Sequence, residues 1–369
     1  MPFDVREFPG IPPDDRASSR SNRRLVAGWL FAVCAMLLVM IVLGGTTRVS
    51  GSGLSIMEWA PFRGALPPTS DAEWERLFGL YKQIPQYDLL NAGISLEGFK
   101  QIFWVEWVHR LWGRLIAVVF FVPLVWFWAT RRIEPRLRPR LAIIFGLGGL
   151  QGFVGWFMVA SGFLPQTTSV SPYRLVIHLT LALLLYSALL WTGLGVFARY
   201  RPVPAEARFL RGTLVVCCGL VALTIVAGGF VAGTHAGLDY NTFPLMDGKL
   251  VPDGYGRLTP FMLNLTENIP AVQFDHRLLA TGTALDALAA VVVGLLTPLP
   301  RSSRAAVFAL GAVVALQYAL GVLTLLNAVP ATLAVAHQGT AILVLTAALV
   351  ALHSVRRVRP TPIPLPAPA

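Results

Sequence analysis

Apolar residues fall along this chain in eight long runs, and nowhere in the strict alternation of a half-buried strand. The runs lie near residues 25–45, 105–128, 141–163, 175–198, 213–234, 271–296, 305–327 and 333–353. Each is close to the roughly 20 residues that a helix needs to cross the hydrocarbon of a bilayer. An open sheet could not satisfy its backbone groups in lipid. The pattern predicts an all-α integral membrane protein with eight transmembrane helices.

Polar interruptions repeat. GGTTRVSGSGLSIMEWAPFRGALPP (44–68) aligns with GGFVAGTHAGLDYNTFPLMDGKLVP (228–252) at a constant offset of 184. Gly44, Gly45, Gly53, Leu54, Gly64, Leu66 and Pro68 meet Gly228, Gly229, Gly237, Leu238, Gly248, Leu250 and Pro252. Further on, His109-Arg110-Leu111 matches His276-Arg277-Leu278, Gln151 and Gly155 match Gln317 and Gly321, and His178 matches His337. Such self-similarity divides the chain into a four-helix half at 25–205 and another at 206–355, flanked by tails at 1–24 and 356–369. With an even number of spans per half, both halves enter the membrane from the same side. That gives two parallel-repeat four-helix bundles, unlike the inverted repeats of many transporters. The long outer loops, about 46–104 and 235–270, are punctuated by Gly and Pro and are expected to carry a short helix or two over their own halves.

Composition agrees with burial in lipid. Of 369 residues, 55% are hydrophobic and 13% charged, where soluble domains carry about a quarter; mean hydropathy is +0.63. The net charge of +11 invites a nucleic-acid reading, but its placement argues against one. Arg20, Arg23 and Arg24, then RRIEPRLRPR (131–140), RYRPVPAEARFLR (199–211), RSSR (301–304) and RRVR (356–359) all fall on one side of alternating spans. This positive-inside pattern puts both termini in the cytoplasm, with a bacterial inner membrane as the expected location. The first span is of full length and lacks an A-x-A cleavage pattern, so it reads as a span rather than a cleaved signal. The Pro-rich tail RPTPIPLPAPA reads as disordered. Cys34, Cys217 and Cys218 lie inside spans and read as small core hydrophobes.

Four of the six histidines, His109, His178, His276 and His337, occupy repeat-equivalent positions near the outer ends of their helices. One such histidine could merely hydrogen-bond to a neighbouring helix, but an ionisable residue inside a span is expensive, and this one recurs as two pairs. Facing imidazoles in a four-helix bundle suit a metal or haem. Zinc fits less well, because each half lacks a convincing third or fourth ligand, whereas a porphyrin needs only axial ones. Arg110 and Arg277 follow two of the histidines, so they are candidate partners for haem propionates; snorkelling to the interface is the competing reading. Glu106 lies three residues before His109 on one helical face, and its counterpart in the second half is Gln273. A carboxylate at this position beside one site but not the other suggests that chemistry and electron supply are divided between the halves; stabilisation by the helix N-terminus is the alternative. His235 pairs with Gly51 and is assigned a loop role, and His353 is read as interfacial.

Taken together, GGTTRVSGSGLS, EWVHRLWGR, QGFVGWFMV, YRLVIHLTLALLLY, GLDYNTFPLMDG, FDHRLLA, QYALGVLTLL and AHQGTAILVL resemble the haem A synthase family from about residue 25 to 355. The resemblance implies an enzyme that oxidises the C8 methyl of haem O to a formyl group for cytochrome oxidase biogenesis. It assigns His276 and His337 as axial ligands of a resident haem b, His109 and His178 to the substrate haem, and Glu106 as the catalytic acidic residue. The expected route is successive oxygenation of one carbon, with water lost from a geminal diol. If both His109 and His178 hold the substrate iron, either one detaches or oxidation proceeds without oxygen at that iron; both readings stand. No cysteine occurs between residues 46 and 104, so the chain resembles the branch lacking a cysteine pair in its first outer loop. Implied partners are the lipid bilayer, haem O synthase, an unidentified electron donor and a second copy of the chain, with no nucleic acid. A di-haem b-type electron-transfer protein is the main rival. A transporter is a weaker one, since the Gly-Gly pairs fall at outer ends of spans.

Overall fold

The computed structural model describes residues 13–60, 63–197 and 207–356, with side chains from Arg20 onward. Among the described residues ten α-helices run in chain order: α1 Pro13–Val49, α2 Asp71–Tyr81, α3 Pro85–Leu90, α4 Leu96–Ala129, α5 Arg138–Ala160, α6 Pro172–Phe197, α7 Arg208–Gly233, α8 Ile269–Leu296, α9 Arg301–Leu326 and α10 Ala331–Ser354. Eight of them, all but α2 and α3, are long and apolar enough to cross a membrane, and no strand occurs among the described residues. Around the first four long helices, α1 packs on α4 and α6, and α5 on α6 and more sparsely on α4. Around the last four, α7 packs on α8 and α10, and α9 on α8 and α10. Contacts of α1 with α10 and of α6 with α7 and α10 join these sets. Tyr186 and Thr346 hydroxyls meet at 2.6 Å across α6 and α10, and one apolar core runs through all eight long helices.

The basic helix ends are drawn together. Arg23 Nε donates to the Val196 carbonyl at 3.2 Å and lies 3.9 Å from Glu134, linking the start of α1, the α4–α5 loop and the end of α6. Arg211 Nε donates to the Val355 carbonyl at 3.0 Å, and Ser303 Oγ to that of Ser354 at 3.2 Å. Of the basic segments, 199–206 and 357–359 lie outside the described residues, as does the Pro-rich tail. His353, read as interfacial, lies in the last turn of α10, where it is buried and meets the Trp191 ring edge-on with centroids 5.0 Å apart. Cys34, Cys217 and Cys218 are free thiols on α1 and α7.

The span expected from residue 105 begins as a helix at Leu96. Hydropathy alone missed these roughly two and a half turns because LEGFKQIF is amphipathic. Ser95 caps it, its Oγ accepting from Gly98 N at 3.2 Å, and Phe99 and Phe103 pack beneath the first outer loop. At about 1.5 Å per residue, α4 therefore projects beyond the hydrocarbon as a post on which α2 and α3 rest. Leu54, Trp74, Leu77, Phe78, Tyr81 and Ile84 complete a second apolar cluster there. Its polar heart is Tyr81, which is fully buried and donates to Gln86 Oε1 at 3.1 Å while accepting from Asn91 Nδ2 at 2.6 Å. Gln86 in turn donates to the carbonyls of Gly51 and Thr168. Tyr81→Phe strands these partners and is expected to destabilise the loop by about 1–3 kcal/mol; limited proteolysis should cut residues 71–91 faster while the spans stay protected. The second outer loop is built differently, from two 3₁₀ turns at Ala236–Leu238 and Phe261–Leu265 and no α-helix.

Candidate functional site

Each of the four paired histidines faces a glycine on the neighbouring helix. A Cβ on Gly44 of α1 would fall 3.0 Å from His109 Cε1 on α4, and one on Gly155 of α5 would fall 2.9 Å from His178 Cε1 on α6. The second set repeats this. Gly228 of α7 stands 3.0 Å from His276 on α8, and Gly321 of α9 stands 2.9 Å from His337 on α10 by the same measure. Any side chain at these positions would push the imidazole aside, so all four rings are held by the absence of a neighbour's Cβ. His109 and His178 thus belong to the first set of packed helices, and His276 and His337 to the second. Among the described residues no group of three or more His, Cys, Asp or Glu could hold a bare metal ion, so each set offers two imidazoles.

Two glutamines that repeat with the histidines now have a place. Gln151 Nε2 lies 3.2 and 3.3 Å from the ring nitrogens of His178 and donates to its carbonyl at 3.1 Å. Gln317 Nε2 lies 3.4 Å from His337 Nε2. Both amide oxygens, Gln151 Oε1 and Gln317 Oε1, are buried without a hydrogen-bond partner, an uncommon state for a buried polar atom. The signal was already present in the repeat, which paired Gln151 with Gln317 without giving either a role.

The Gly-Gly pairs divide their work in the same way twice. Gly44 and Gly228 admit the histidines, while the next residue faces the opposite set. Gly45 makes room for the Gln338 amide of α10, which donates to the Ile41 carbonyl at 2.7 Å, and Gly229 packs on Val176 and Leu179 of α6.

Glu106 is buried, and Arg110 Nε donates to its Oε1 at 2.7 Å. Arg110 also donates to the carbonyls of Glu58 at 2.9 Å and Ile56 at 2.8 Å. In the second set Arg277 donates to Gln273 Oε1 at 2.9 Å and to the carbonyls of Thr242 at 2.8 Å and Tyr240 at 2.6 Å. Ile56 and Glu58 are the repeat counterparts of Tyr240 and Thr242. Both arginines are thus clamps between a histidine helix and its outer loop, and three of the five N–H groups of each guanidinium are engaged. Sequence reasoning could not see this, because the acceptors are main-chain carbonyls. The remaining two N–H groups of each are what an anion could use.

His235 stands apart from the pairs. It sits exposed in the second loop with a φ of 58°, where its counterpart Gly51 has 66°, which agrees with a loop position. Asp286 on α8 was not singled out from sequence. Its Oδ2 is buried without a partner, and its signal was plain, a carboxylate in the middle of an apolar run.

A family profile described as cytochrome oxidase assembly protein matches residues 27–349. The chain is 62% identical over 336 residues to heme A synthase of Granulibacter bethesdensis, covering 91% of this chain and 88% of that one. It is 48% identical over 346 residues to heme A synthase 2 of Acidiphilium cryptum, covering 92% and 94%. To heme A synthase of Rhodospirillum centenum it is 50% identical over 340 residues, covering 92% and 90%.

Proposed function

The chain belongs to the haem A synthase family, and on that premise we propose that it oxidises the C8 methyl of haem O to the formyl of haem A, with the two histidine pairs in different roles. It is an integral membrane oxidoreductase of haem A formation. The observation that carries the division of roles is that both pairs are backed by glycine and approached by glutamine alike, while the arginine beside the first pair holds the buried carboxylate Glu106 and the one beside the second holds the amide Gln273. His276 and His337 hold a resident haem b. His109 and His178 receive haem O. The residues fit such groups: the glycine-backed rings and the unpartnered amide oxygens of Gln151 and Gln317 recur in both halves. A haem with two imidazole ligands supplies one-electron transfer.

The protein's own groups do the rest. Gln151 and Gln317 orient the second imidazole of each pair, as partners of metal-bound histidines commonly do. Arg110 holds the Glu106 carboxyl at one angle, and Glu106 moves a proton or stabilises positive charge at the substrate carbon. The free N–H groups of Arg110 and Arg277 are the candidates for propionates. The halves 25–205 and 206–355 are read as parallel bundles, with both termini on the cytoplasmic side of a bacterial inner membrane. Haem O synthase, an electron donor and a second copy of the chain are the proposed partners.

The experiment is co-expression with haem O synthase, followed by chromatography and mass detection of extracted haems. Haem A or its hydroxylated precursor is expected. Resident haem b beside untouched haem O, in folded and reducible protein, would sink the enzyme reading. A narrower prediction tests the glycine backing. Gly228→Val crowds His276 and is expected to lower haem b retention by about 10–100-fold, read as the haem-to-protein absorbance ratio of the purified chain.

A further inference from the structure

An apolar groove of about 450 Å³ opens on the side of α5, lined by Gly149, Gly152, Phe153, Trp156 and, from the first outer loop, Trp59. That volume lies within the roughly 300–1,000 Å³ of typical ligand sites. The four α5 residues stand at i, i+3, i+4 and i+7, one face of a helix. A Cβ on Gly149 or Gly152 would meet nothing within 4 Å, so the glycines are not there for close helix packing. Beside it α4 and α5 touch sparsely, whereas their counterparts α8 and α9 pack closely.

The second half shows what fills such a gap. With Gln151 on Gln317 and Gly155 on Gly321, Gly152 falls on Tyr318, and Trp59 falls on Phe243. Tyr318 meets the Phe243 ring edge-on at 6.2 Å, and its hydroxyl lies 3.0 Å from Thr281 Oγ1 on α8. The equivalent groove is thereby plugged from α9 to both loop and α8. In the first half Trp59 meets Trp156 instead, centroids 6.1 Å apart, leaving the floor open at Gly152.

Two features tie the groove's lining residues to the helices that carry the histidines. Gly155, one turn from Gly152, is the residue against His178. Trp59 is held from α4 on both flanks, by Arg110 on the Glu58 carbonyl and by Arg114 on that of Ala60 at 3.1 Å. We propose that this groove receives the isoprenoid tail of the substrate haem, that Gly152 keeps it open, and that Tyr318 closes the second half to a tailed porphyrin. The inference rests on the reading that His109 and His178 receive haem O. Lipid is as apolar as the groove, so the groove selects by shape and packing. It fixes which edge of the ring approaches Glu106, and it confines the tailed haem to the half with the carboxylate.

The test titrates purified full-length protein with haem O and with haem B, which lacks the tail, and follows the absorbance change at the first-half site. The wild type is expected to prefer haem O by about tenfold or more. Gly152→Tyr and Gly149→Leu, which fill the groove from independent positions, should bring the two haems close to parity while haem b in the second half is retained. Should Gly152→Tyr lose haem b and thus its fold, Gly149→Leu decides. An undiminished preference for haem O in the folded variants overturns the groove and leaves the enzyme reading intact. A wild type that takes up haem O no better than haem B, with lipid co-purifying and lost on filling, makes the groove a lipid seat and also overturns it. A wild type that neither binds nor converts haem O fails at the earlier reading, and the groove proposal falls with it.

Discussion

Glu106→Gln is expected to abolish haem A formation while leaving both histidine pairs, the outer loop and the resident haem b in place. Glutamine is the informative replacement because the protein already uses it at this spot. Gln273 occupies the equivalent position, accepts from Arg277 at 2.9 Å and donates to the Ala236 carbonyl at 2.7 Å. The amide can therefore keep Arg110 and its grip on the carbonyls of Ile56 and Glu58. Only the charge and the exchangeable proton are lost. Alanine would be a poorer probe, since removing one partner of a buried ion pair costs about 3–5 kcal/mol and would release the loop as well. Loss of a positioned acid–base group typically lowers a rate by about 10²–10⁴-fold, and the ratio of haem A to haem O in extracts should fall accordingly, with the haem b spectrum unchanged as the check on folding. If Glu106→Gln still makes haem A within a few-fold of the wild type, Glu106 is a loop clamp and the asymmetry between the halves has no chemical meaning.

That asymmetry was legible in the sequence, and so were the eight spans, because hydropathy and self-similarity both read directly from residue type. The four histidines and their pairing came from the same comparison. What escaped falls into two physical kinds. Main-chain acceptors have no sequence signature, so the work of Arg110 and Arg277 as clamps could not be separated from snorkelling or from propionate binding. A missing side chain is also silent: the repeat paired Gly44 with Gly228 and Gly155 with Gly321 but gave none of them a role, until the structure set an imidazole against each. The groove at Gly152 becomes visible only once Tyr318 is seen filling its counterpart. The early start of α4 was missed because its first turns bury aromatic rings under a loop rather than in lipid.

His276→Ala and His109→Ala should part company, although the two residues are equivalent in the repeat. His276→Ala is expected to strip the second half of haem b, with retention falling by at least about 100-fold, and haem A formation should fail with it for want of an electron path. His109→Ala should leave haem b bound and reducible and lose only haem A. Both truncations leave a void beside a glycine, Gly228 in one case and Gly44 in the other, with no Cβ to collapse into it. Free imidazole should therefore enter and act as the missing ligand, restoring the haem b spectrum of His276→Ala in part while doing nothing for one whose fold is broken. Reduced-minus-oxidised spectra of the purified variants, with and without imidazole, measure this directly. Equal loss of haem b in both variants would mean that the halves share one haem site, and the assignment of separate roles to the two pairs would have to be withdrawn.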